Sequence, residues 1–197
     1  MNKNSGLPTT PEALVAFVKD RQERWQARIN PGDPAHSTRR LLVNLVSDVL
    51  NLLDRMEVQA ISTPEDRAFY RSGGDNHYAE NLPLQGELEA TFARVWDAQE
   101  RGEPVPEVPG GNRPPRAYTR TEVQLQVAQY LALMVRYWDE LPAPDPLGGM
   151  AFSLLTLLDG GPVSLPAFSV RVPSGPDLAG TLHEQYSGLL DTPEKKP

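Results

Sequence analysis

The stretch that decides the fold is Thr38–Met56, Thr-Arg-Arg-Leu-Leu-Val-Asn-Leu-Val-Ser-Asp-Val-Leu-Asn-Leu-Leu-Asp-Arg-Met. Leu41, Leu42, Leu45, Val46, Val49, Leu52, Leu53 and Met56 recur at the three- and four-residue spacing of a helix. Their stripe is broader than a surface helix needs. The spacing therefore predicts a central helix, capped by Ser37 or Thr38 and running to about Gln59.

Working outward, Thr9–Ile29 reads as a helix with Leu14, Phe17, Val18, Trp25 and Ile29 on one face. Thr9 and Glu12 have capping-box spacing, and Pro11 suits a first turn. Thr63-Pro64-Glu65-Asp66 signals a short helix to about Arg71. Leu84–Arg101 reads as a further helix, stopped by Gly102. Thr119 or Thr121 opens another that reaches about Leu141, and Met150–Leu158 is an apolar short helix. Near the C-terminus, Phe168, Val170 and Val172 alternate with Ser169 and Arg171, a strand period for which Val163–Leu165 is the nearest partner. Leu178–Leu190 is read as a short last helix. The sum is a mainly α fold, an irregular helical bundle of about four to six helices with a short extended, β-like segment near the C-terminus.

The layout expected is a loose arm over 1–8, one helical domain over 9–190 and a loose tail over 191–197. Residues 102–117 form a Pro/Gly-rich crossover that cannot be regular structure. In 197 residues, 39% hydrophobic and 23% charged, there is enough apolar material for one sizeable core. The net charge of −7 disfavours nonspecific nucleic-acid binding, which needs a basic surface. No apolar leader or run of membrane-spanning length is visible, so a cytoplasmic protein is expected. With no cysteine, disulfides, thiolate metal sites and Cys nucleophiles are ruled out.

One compact cluster carries chemistry. Ser72–Asn81 holds Asp75, His77 and Glu80 within six residues, beside Gly73-Gly74 and Tyr78. Two carboxylates and an imidazole supply ligands for a divalent metal or groups for acid/base transfer. The same composition also makes an ordinary solvated turn. His36, His77 and His183 lie in three different segments, and nothing in their spacing brings them together. His183-Glu184 begins a zinc-protease motif, but Ser187 stands where the second histidine must be. Nucleophile-elbow and phosphate-loop patterns are absent.

Arg39 and Arg40 sit in the first turn of the central helix, a candidate anion site. Arg113-Pro-Pro-Arg116, with Arg120, makes an extended basic run suited to an acidic or aromatic partner, or to a stiff linker. Trp25, Trp96 and Trp138 fall on apolar stripes and read as core.

Two functional expectations follow. The first is a non-catalytic acidic helical interaction or regulatory protein, such as an adaptor, a regulatory subunit or an immunity-type inhibitor. It would act through a protein partner or self-association and need no cofactor. The second is a metal-assisted or acid/base hydrolase built on Asp75, His77 and Glu80.

Overall fold

The computed structural model describes residues 6–30, 32–61, 82–105, 119–160 and 165–190. Within them are six α-helices, a short 3-10 turn at Pro34–His36 and a three-stranded sheet, so the chain is mainly α.

Helix α1, Pro11–Gln26, starts from Thr10, whose hydroxyl accepts the Ala13 amide at 3.2 Å. The cap is thus Thr10 and not Thr9, because Pro11 occupies the first helical position, where a missing N–H costs nothing. Helix α2, Thr38–Leu53, is capped by Ser37. Leu41, Leu42, Leu45, Val46 and Val49 are wholly buried on it. It packs against α1 and against three further helices: α3 (Leu88–Glu100), α4 (Arg120–Glu140) and α5 (Pro146–Leu158).

Helix α2 ends at Leu53, six residues before the position its apolar stripe predicts. Glu57–Ile61 is strand β1, with Val58 and Ala60 buried and Glu57 and Gln59 half-exposed. That alternation is a period of two. It begins at the point where the helical stripe closes with Met56, which hides the change in sequence.

Strand β1 is the middle of the sheet. It pairs antiparallel with β2 (Leu82–Pro83) and with β3 (Ala167–Arg171). Among the described residues the partner of β3 is β1, with Val58 opposite Val170; of the expected partner, residues 163 and 164 lie outside the described residues. A long-range pairing of this kind has no local signal. Arg171 Nε also donates to Glu57 Oε2 across the strands at 3.0 Å.

Helix α3 starts at Leu88 and not at Leu84, whose amide instead donates to the Val58 carbonyl at 2.8 Å and prolongs the β1–β2 ladder. Its own N-cap, Glu87, makes no side-chain cap bond. Asp54, just past the end of α2, supplies the cap from a distance. Its carboxylate accepts the amides of Gly86, Leu88 and Glu89 at 2.7, 2.9 and 3.0 Å. Helix α4 begins with a full capping box of Thr119 and Glu122. Helix α5 starts at Pro146, earlier than its apolar run suggests, because Asp145 caps it through the Gly148 amide at 2.8 Å. Helix α6, Leu182–Leu190, completes the described fold and packs on α1 and α5. The short helix expected at 63–71 lies outside the described residues.

The α4–α5 contact rests on Gly149. A β-carbon there would overlap the Trp138 ring, whose indole N–H donates to Ser153 Oγ at 3.0 Å one turn further along α5. Gly149→Ala is expected to destabilise the fold by about 1–2 kcal/mol, although alanine is the better helix former. Urea denaturation checks this. A stability equal to or above wild type would show that Trp138 moves aside freely.

Candidate functional site

Of the residues singled out in the sequence, Asp75, His77, Tyr78, Glu80, Arg113 and Arg116 lie outside the described residues. The others are placed as follows.

Arg39 stands at the N-terminal end of α2 but beside the C-terminal ends of α3 and α4. Its guanidinium bonds Asp139 at 2.7 Å and lies 3.5 Å from Glu100. Asp139, by its hydrogen bond, holds the Arg39 guanidinium above its ordinary value, and Glu100 adds to this. A cation opposes the dipole of its own helix here, yet complements the two that end beside it. Arg40, next to it, is exposed. Arg120 donates to the Gln85 carbonyl at 2.6 Å and ties α4 to the β2–α3 connection.

The two described histidines belong to different carboxylates. His36 Nδ1 is 2.7 Å from Asp33 Oδ2 in the 3-10 turn. That contact, with the Ala35 amide, holds the Asp33 carboxyl below its ordinary value. His183 Nδ1 is 2.6 Å from Asp159 Oδ2 at the start of α6. Among the described residues no group of three His, Asp or Glu is arranged to hold a metal ion.

In sequence Asp159 stands only as the residue after the apolar run Met150–Leu158. Its side chain is 3% exposed. It accepts the Gly180 amide at 2.5 Å and the His183 amide at 2.9 Å, besides the His183 ring. This carboxylate at the end of α5 therefore both caps α6 and orients its imidazole. The Phe152 ring meets the His183 ring edge-on, with centroids 5.8 Å apart.

Among the described residues, concavities open on the flanks of the core. An open cleft of about 770 Å³ is lined by Phe17, Arg21, Asp48, Asn51, Asp54 and Glu89. Its charged groups are largely engaged: Arg21 sits over the Phe17 ring, Asp48 accepts the Trp25 indole N–H at 3.0 Å, and Asp54 is the remote cap. A smaller groove of about 350 Å³ lies between α3 and α4, apolar apart from Arg94 and two threonines.

The outer face of α4 has a different character. Leu133 and Tyr137 are 59% and 49% exposed one turn apart, and Leu141, the C-cap, is 38% exposed four residues on, so an apolar line runs along the surface to the end of the helix. The Tyr137 ring stands edge-on against Trp138, with centroids 5.1 Å apart. Tyr130, a turn earlier, is half-buried. Among the described residues, Phe152 on α5 and Leu189 and Leu190 on α6 are the other large exposed apolar side chains. No described helix is long and apolar enough to cross a membrane.

On the opposite side, α1, α5 and α6 enclose a polar pocket of side chains. Gln22 is buried and reaches Asp145 at 3.5 Å. Tyr186 is fully buried, and its hydroxyl has no hydrogen-bond partner among the described residues. Burial pushes the Tyr186 phenol far above its ordinary value, and the carboxylates of Asp145 and Glu23 act in the same direction.

No family model matches the chain, and no solved structure matches it. Over 95 residues it is 36% identical to the exodeoxyribonuclease 7 large subunit of Brucella canis. The match covers 48% of this chain and 18% of that protein, so the chain spans less than a fifth of the relative's length.

Tyr186 gives a pH prediction. A phenol whose folded pKa lies above the unfolded one adds no pH dependence below about pH 10. Above that the unfolded chain releases a proton that the folded chain keeps, so stability falls as pH rises. Between pH 9 and 11 the wild type should lose stability more steeply than Tyr186→Phe. Tyr186→Phe should also equal or exceed wild type at pH 7, since it removes an unpaired buried hydroxyl. Parallel pH-dependent slopes in chemical denaturation would contradict the burial described.

Proposed function

We propose that this chain is a helical interaction module, an adaptor or regulatory subunit, that docks on a partner protein through the outer face of α4. The observation that carries the reading is the exposed pair Leu133 and Tyr137, continued by Leu141 at the C-cap, on a helix whose opposite face is fully packed. Large aromatic and aliphatic side chains held on a rigid element cost little entropy when they are covered, and a few such anchors dominate binding energies. The net charge of −7 suits a basic partner and makes association faster at low salt. The partial relative is, by its name, a subunit of an assembly, which accords with a partner-binding role.

The test is a photo-crosslinking amino acid at position 133 or 137 in the source cells, with Arg24 on the exposed side of α1 as control. Defined protein adducts are expected from the α4 face and not from position 24. Tyr137→Glu should weaken capture by about thirtyfold, the size of one hot-spot anchor. Adducts with DNA or RNA instead of protein, or the same adducts from both faces, would overturn the reading.

A further inference from the structure

Asp159 and His183 are arranged for more than capping. The Asp159 carboxylate is almost wholly buried and accepts three N–H groups, two of them backbone amides. The amides fix the carboxylate, and the carboxylate fixes the ring. A carboxylate only accepts, so the proton of the neutral ring sits on Nδ1 and the lone pair on Nε2. The His183 side chain is 32% exposed while Nδ1 faces a buried partner, so the exposure falls on the opposite edge of the ring, which carries Nε2. Phe152, itself 38% exposed, stands against the same ring in edge-on contact. His36 supplies an internal contrast: its partner Asp33 is 42% exposed.

We propose that His183 Nε2 is a nucleophilic site for small activated acyl donors, with Asp159 as its positioning residue and Phe152 as an apolar rest for an aromatic leaving group. This rests on the dyad and not on the α4 docking face. The Nε2 lone pair adds to the ester carbonyl carbon, a C–N bond forms, and the C–O bond to the aryl oxygen breaks as the phenolate leaves. The Nδ1 proton remains shared with Asp159 while the acyl-imidazole carries positive charge. Water then adds to the acyl carbon and gives up one proton to solvent, the C–N bond breaks with its electron pair returning to Nε2, and the free acid and the neutral imidazole are restored.

The experiment uses the full chain and p-nitrophenyl acetate. The wild type should release p-nitrophenolate at least about tenfold faster than equimolar free imidazole. Acid-quenched mass spectrometry should place a single acetyl group on the peptide that holds His183. His183→Ala should lose the excess rate, and His36→Ala should keep it. Nitrogen-15 spectra should show the Nδ1–H tautomer at His183 in the wild type and its loss in Asp159→Ala, a change that capping alone does not require. The acetyl location is read on the wild type, so the result stands even if a variant fails to fold. A rate no greater than that of imidazole, an unchanged rate in His183→Ala, or acetylation elsewhere would overturn the proposal.

Discussion

Everything in this structure depends on the burial of α2. Its stripe from Leu41 to Leu53 is closed off from water by α1, α3, α4 and α5 together. Each fully buried leucine of this kind is worth about 2–5 kcal/mol against alanine, an amount comparable with a large part of a domain's net stability. Helix α5 is the second such element, with Met150, Ala151, Leu154 and Leu155 inaccessible. The other helices have one wet side, and that difference decides which surfaces remain for contact with other molecules.

Carboxylates placed at helix ends hold the periphery to this centre. Asp54 leaves α2 and caps α3; Asp159 leaves α5 and caps α6. Asp145 caps its own helix and also receives Gln22 from α1. In each case a helix terminus, whose first amides have no partner inside the helix, is satisfied by an aspartate carboxylate. The ends of α3 and α6 are thereby positioned by α2 and α5, and with α6 comes the His183 ring.

Local pattern carried the helices well. The stripe of Thr38–Met56, the stop at Gly102, which adopts φ +67°, and the Thr119 start could all be read from neighbouring residues. Pairings between distant residues could not. Strand β1 was hidden behind the end of an apolar helix, and its match to β3 spans more than a hundred residues. The remote caps were equally silent, since Asp54 and Asp159 look in sequence like ordinary helix ends. Of the candidate site, His183 was visible as an isolated imidazole. Its significance came only with Asp159, 24 positions away. The basic pair at Arg39 and Arg40 reads in sequence as an anion site, but Arg39 is engaged with Asp139 and Glu100, which lie far off along the chain.

The fold thus leaves α4 with a packed inner face and an apolar outer line, on a scaffold whose rigidity comes from α2. Native-state hydrogen exchange tests that dependence most directly. Amides of Leu45 to Leu50 should exchange only through global unfolding, with protection matching the stability from denaturation, and α6 should open at lower free energy. Exchange of α2 at or above the rate of α6 would contradict the central position of α2 and the account built on it.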